Sequence, residues 1–170
     1  MISSTELRDV FDQHAARLVL IARSIGDEAE DAVQEAFIAL AAEPTPPADL
    51  FAWLVRVTRN RLLQWYRSDR RRKRREQGNH PAAWFAGEVV LVDRRLDALL
   101  VTRALQELDR NQRETIVMHL WGEMTFDQIS EITGVSRATA HRHYTSGLHR
   151  LRHRFGVTAD ITPCLNRVST

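Results

Sequence analysis

The chain has 170 residues, 44% of them hydrophobic, with seven Gly, five Pro and one Cys. That is enough apolar material for one medium domain or two small ones, and it excludes wholesale disorder; the lone Cys164 excludes an internal disulfide and a cysteine-based zinc site. The formal net charge of +2 conceals segregation, because residues 1–50 hold three Arg against ten acids, residues 51–100 hold twelve Lys and Arg against five, and residues 101–170 hold nine against seven. An acidic front and a basic middle point to two partners of different charge. The N-terminus has no basic start followed by an apolar core, and no run approaches the roughly 18 apolar residues of a membrane span. The expectation is a soluble, cytoplasmic protein without membrane insertion.

Apolar residues rarely alternate with period two, so the chain reads as all-helical. Ser3 and Glu6 have capping-box spacing for a first helix, which carries Leu7, Val10, Phe11, Leu18, Ile21 and Ile25 and stops at Gly26. Asp27 and Glu30 can form a second box, opening a helix with the apolar stripe Ala29, Val33, Ala36, Phe37 and Leu40. The segment "PTPP" breaks the chain, and Asp49 caps a third helix, "LFAWLVRVTRNRLLQWYRSDRRRKRRE". Residues 77–92 lose the helical pattern and read as a linker. A second helical group follows: one helix over residues 93–108, one capped by Asp109, a short one boxed by Thr125 and Gln128, and a long one capped by Ser136. The tail after Gly156 reads as irregular. The domain reading is therefore 1–76, a linker 77–92, 93–156, and a tail 157–170.

The last two helices form a helix-turn-helix. Phe126, Ile129 and Ile132 share one face, Gly134 permits the sharp turn, and Val135 can plug the corner. In the final helix Ala140, Tyr144, Leu148 and Leu151 recur at core spacing. Arg137, His141, Arg142 and Thr145 are left pointing outward, a bound apolar back with an exposed front of donors for phosphates and major-groove base edges. From Ser136 to Arg154 there are five Arg, four His and no acid. The competing reading is an ordinary helical corner with a solvated basic face. His149 and His153 have chelating i, i+4 spacing, but no Glu or Cys accompanies them, and neither a metal nor a cofactor is expected.

The third helix interleaves Trp53, Trp65 and Tyr66 with Arg56, Arg59, Arg61, Arg67 and the basic run from Arg70 to Arg75. Aromatic faces stack on unpaired bases while arginines follow the phosphates, a pattern suited to melted DNA. Trp53 and Leu54 read as core. No catalytic cluster is visible: Glu30 and Asp31 stand at a helix start without a His, Cys or metal set in register.

In this order, the segments resemble the extracytoplasmic-function (ECF) sigma factors of bacterial RNA polymerase, within the housekeeping-sigma class, over about residues 5–155. "DEAEDAVQEAFIAL" is similar to the family's region 2.2, "FAWLVRVTRNRLLQWYR" to regions 2.3–2.4, and "ALQELDRNQRETIVMHLWGEMTFDQISEITGVSRATAHRHYTSGLHRLR" to region 4. The resemblance implies a sigma factor that binds core polymerase, recognises the −35 and −10 promoter elements and promotes initiation, without being an enzyme. It implies that Asp31, Gln34, Glu35 and Phe37 dock on the β′ clamp, and that region 4 meets the β flap. Arg56, Asn60, Arg61, Trp65, Tyr66, Arg67, Arg70 and Arg71 would serve the −10 element, and Ser136, Arg137, Thr139, His141, Arg142 and Thr145 the −35 element. Residues 77–92 would thread toward the active-site channel, and an anti-sigma factor is an implied partner. The chain departs from the family at Gln64, where Asp is frequent, at Thr139-Ala140-His141, where Thr-Val-Lys is common, and in its short loop "AEPTPPAD"; no relative's promoter sequence carries over. The alternative is a stand-alone helix-turn-helix regulator, which gives the acidic and Trp-Arg helices no role.

Overall fold

The computed structural model describes residues 2–69, 84 and 92–156, all of whose regular elements are helices. They are α1 (Ser4–Ile25), α2 (Ala29–Ala42), α3 (Leu50–Asp69), α4 (Val92–Gln106), α5 (Arg110–Leu120), α6 (Phe126–Thr133) and α7 (Arg137–Arg154). The expected all-α architecture is observed. The expected extension of the third helix to residue 76, and nearly all of the 77–92 linker, lie outside the described residues, as does the tail with Cys164.

Local chemistry fixes most helix starts. Ser3 and Glu6 form the reciprocal capping box of α1, and Thr125 and Gln128 that of α6. The Asp49 side chain accepts from Ala52 N at 3.0 Å, and the Asp109 and Ser136 side chains accept from Gln112 N and Thr139 N. The box expected at Asp27 and Glu30 does not form. The N-cap of α2 is Glu28 without a side-chain cap bond, because Glu30 turns instead to Arg23 on α1.

The apolar stripes behave as their periodicity requires. Ala29, Val33, Ala36, Phe37 and Leu40 of α2 are buried against Leu18, Ile21 and Ile25 of α1 and Leu54, Val55 and Leu62 of α3. Leu54 is fully buried, whereas Trp53 is half-buried on the core's edge. In the second half, Leu105, Ile116, Val117, Met118, Ile129, Ile132 and Ala140 are buried, with Tyr144, Leu148 and Leu151 half-buried around them. Gly147 lets α7 approach α5 closely: a Cβ there would stand 2.6 Å from Ile116 Cδ1.

These two groups do not form separate cores. Helix α5 packs on α1 and α6 on α3, so one apolar cluster runs through both halves. Trp84 is fastened at this junction. Its N–H donates to Thr102 Oγ1 at 3.1 Å, its carbonyl accepts from Arg23, and the Arg113 guanidinium lies over its ring.

Candidate nucleic-acid interface

Helix α2 presents an acidic outer face. Asp31, Gln34 and Ile38 are exposed at helical spacing, and Glu35 is half-buried where Arg61 of α3 donates to it at 3.0 Å. Arg23 donates to Glu30, and that bond holds the Glu30 carboxyl below the usual carboxylate range. Phe37 differs from its expected role as a surface contact. It is only 7% exposed, with its ring 5.0 Å from that of Phe11 on α1. Helical geometry is the reason: Phe37 follows Val33 at i+4 on the core side, while Ile38 follows Gln34 on the outer side. Ile38, 65% exposed, is the apolar residue this face offers, and the sequence reading missed it.

Helix α3 divides its candidate residues by what they meet. Asn60, Gln64 and Arg67 are exposed, and Trp65 is half-buried. Arg56, Arg59 and Tyr66 meet the second half of the chain. Arg56 reaches Glu131 of α6 at 3.5 Å. Arg59 Nε donates to Glu114 Oε2 of α5 at 2.9 Å, and its Nη1 donates to the carbonyl of Ile132. The Tyr66 ring carries the Arg110 guanidinium 4.8 Å from its centroid. Arg70 and Arg71 lie outside the described residues.

The same junction is closed by further polar contacts. Arg113 Nε donates to Ser24 O at 2.7 Å, and burial lowers the Arg113 pKa from its ordinary value. Gln128 Nε2 donates to Asp49 Oδ2 at 2.7 Å, and Arg17 pairs with Glu123 at 2.6 Å. Arg59 read only as a phosphate-following arginine, and Arg113 and Glu114 not at all, because nothing in a linear pattern says which Arg will find a buried acid.

The α6–α7 corner joins a sharp turn to an aromatic and apolar back. Gly134 takes the left-handed conformation at φ 75°, and its N–H closes α6 on Ser130 O. Phe126 stacks on His119 at 4.5 Å and meets the Tyr144 and His141 rings edge-on at 5.5 and 5.2 Å. Burial raises the Tyr144 pKa. On the outside, Ser136, Arg137, His141, Arg142 and Thr145 are exposed together, and Thr139 is half-buried against the Ser136 hydroxyl at 2.9 Å. Arg137 pairs loosely with Asp127 at 3.6 Å, with both side chains open to solvent. Thr145 Oγ1 donates back to His141 O at 3.1 Å, leaving the oxygen's lone pairs for an incoming donor. This face has the donors and exposure for a major groove.

His149 and His153 border a groove with Glu107, Leu108 and Arg154, in which Arg154 pairs with Glu107 at 3.1 Å. Among the described residues no group of three or more His, Cys, Asp or Glu is placed to hold a metal ion. No helix among them is long and apolar enough to cross a membrane.

Comparison with known proteins bears on both faces. The family model "Sigma-70 region 2" matches residues 10–72, and "Sigma-70, region 4" matches residues 104–153. The ECF RNA polymerase sigma factor SigL of Mycobacterium tuberculosis is 32% identical over 165 residues, covering 89% of this chain and 92% of that protein. Among solved structures, the sigma factor RpoE in complex with the anti-sigma factor NepR from Bartonella quintana is 25% identical. It aligns with a TM-score of 0.64 over 91% of this chain and 97% of its own. CnrH in complex with the cytosolic domain of CnrY, 22% identical, shares the fold with a TM-score of 0.62 over 92% of each chain.

Proposed function

Because the chain belongs to the ECF RNA polymerase sigma factors, subunits that bind core polymerase and promoter DNA and bring about transcription initiation, we infer how its own residues divide that work. Residues 1–76 act as the polymerase-docking and −10 domain, 93–156 as the −35 domain, and 77–92 as the connection, with 157–170 as a tail. The exposed face of Asp31, Gln34 and Ile38 docks on the polymerase β′ clamp, with Glu35 beside it and Phe37 supporting it from the core. Asn60, Arg61, Trp65, Tyr66 and Arg67 serve the −10 strand with Arg56, Arg70 and Arg71. Arg137, His141, Arg142 and Thr145 read the −35 duplex, with Ser136 and Thr139 shaping the helix start. The −35 domain also meets the β flap.

The observation that carries this division is one of opposed surfaces. An acidic exposed face lies on α2, and an acid-free basic face lies on α7, each within its own matched region. The work is binding rather than catalysis: two tethered DNA contacts raise each other's effective concentration, and captured unstacked bases offset duplex opening. The sigma-70 descriptions of both regions support the housekeeping-sigma class only as shared architecture, since the full-length relative is an ECF factor. The solved relative RpoE, in complex with the anti-sigma factor NepR, supports an anti-sigma factor as partner, and the kinship with SigL supports a cytoplasmic setting.

The test is selection of genomic DNA fragments by core polymerase loaded with this chain. Two sequence blocks at fixed spacing are expected, and Arg142→Ala should erode only the upstream block. Enrichment of a single block by both proteins would leave the stand-alone regulator as the better account.

A further inference from the structure

The exposed ring of His141 does not stand free on α7. It meets the Phe126 ring of α6 at 5.2 Å and nearly at right angles, at 76°. Phe126 is held in turn: the His119 imidazole of α5 stacks on it at 4.5 Å, and Tyr144 meets both of these rings edge-on. His119 is anchored as well. Its Nδ1 lies 2.8 Å from the carbonyl of Met124, and a carbonyl only accepts, so Nδ1 carries the proton. A ring seated on such a wall has less freedom to lose on meeting a ligand than the long exposed side chain of Arg142.

The charges around His141 are lopsided. On α7, Arg137 stands one turn before it and Arg142 beside it, and no acid occurs from Ser136 to Arg154. On α6 the acid next to Phe126 is Asp127, whose carboxylate pairs with Arg137 at 3.6 Å, and Glu131 one turn on pairs with Arg56 at 3.5 Å. The titratable neighbours on α5 and α7 are His119 and Tyr144. Both nearby carboxylates thus already serve an arginine. A DNA duplex brings one phosphate per about 1.7 Å of axis, together with the N7 and O6 acceptors of guanine in the major groove. Both favour an imidazolium, which has two N–H donors, over the neutral ring, which has one.

We propose that reading of the −35 duplex by this chain is proton-linked: His141, positioned by Phe126, meets the duplex as an imidazolium. The inference rests on the assignment of α7 to the −35 element. Arg137 and Arg142 keep their charge throughout, so among the outward set His141 is the side chain whose charge changes between about pH 5 and 8. Linkage is reciprocal: DNA strengthens proton binding, and protons strengthen DNA binding by the same factor. The bound ring keeps its proton to a higher pH than the free ring. Affinity is therefore greatest below the range where the free ring titrates, and it falls as pH rises through the range where the bound ring lets its proton go. Acidification strengthens promoter capture through α7.

Anisotropy titration of the full chain tests this, against a fluorescein-labelled duplex of the upstream block selected above, at about pH 6 and about pH 8. The unsubstituted chain should bind several-fold more tightly at the lower pH. His141→Lys, charged throughout, should bind alike at both, and His141→Gln should bind at both as weakly as the unsubstituted chain does at the higher pH. Phe126→Leu keeps an apolar back and should forfeit the gain at low pH while sparing affinity at high pH. A merely structural Phe126 would weaken binding equally at both, which would remove its positioning role. Single-base duplex variants identify the acceptor: a loss from His141→Gln confined to one base pair marks a guanine edge, and an even loss marks a phosphate. No pH dependence in the unsubstituted chain, or one that survives undiminished in His141→Lys and His141→Gln, would overturn the proposal. Arg142→Ala then separates two failures. If it still weakens duplex binding, the −35 assignment stands without proton linkage; if neither it nor any His141 change does so, both fall.

Discussion

Arg59 and Glu114 meet across the two halves of the chain at 2.9 Å, with 12% and 1% of their side chains exposed. A charge pair this dry is held by its geometry, since removing one partner strands the other in a medium that solvates it poorly. A double-mutant cycle of Arg59→Gln and Glu114→Gln in urea unfolding should give a coupling energy of about 2 kcal/mol. Additive single changes would mean that solvent screens the pair.

Phe37 and Ile38 are neighbours in sequence with opposite fates, and substitution should separate them. Phe37→Ala empties a core site and should cost about 3 kcal/mol of stability. Ile38→Ala should change stability by less than about 0.5 kcal/mol yet weaken association with core polymerase. Denaturant melts beside polymerase titrations read both, and loss of polymerase binding in the Phe37 variant alone would move the contact off Ile38.

Arg142 is exposed on the outward face of α7. Arg142→Ala should lower affinity for the selected duplex by about 1–3 kcal/mol and flatten preference at one base pair. Anisotropy titrations against single-base duplex variants test this. A uniform loss at every sequence would make Arg142 a phosphate contact instead.

His14 packs 5.1 Å from the Phe51 ring, and its buried Nδ1 has no hydrogen-bond partner. Burial, aided by the Arg17 charge, lowers its pKa below the ordinary 6.5. As pH falls through 6.5 the unfolded chain takes up a proton that the folded chain refuses. Stability contributed by neutral His14 is therefore full above that pH and is lost as pH falls through the lower folded value. His14→Gln should flatten stability against pH in that window, and an unchanged slope would assign it to other groups.

Much of this was legible in the sequence because it is local. Capping at Ser3, Asp49, Asp109, Thr125 and Ser136, the left-handed turn at Gly134 and the stripe of α2 follow from short spacings. The outward set on α7 was legible for the same reason, since an apolar back fixes its opposite face. What escaped depends on contacts between distant segments. The Asp27 box gave way to Arg23 capturing Glu30 from another helix. Phe37 had two readings, the apolar stripe of α2 and a clamp contact implied by the resemblance, and its burial follows the stripe. Arg59 is indistinguishable from Arg56 in a basic helix until α5 brings Glu114 to it.

The most direct measurement of the central claim is titration of the purified chain with bacterial core RNA polymerase, read by gel filtration and fluorescence anisotropy. A tight one-to-one complex, weakened by Asp31→Lys and Gln34→Ala without loss of duplex binding by the isolated chain, is the predicted result. Retained duplex binding with no polymerase association would contradict the account.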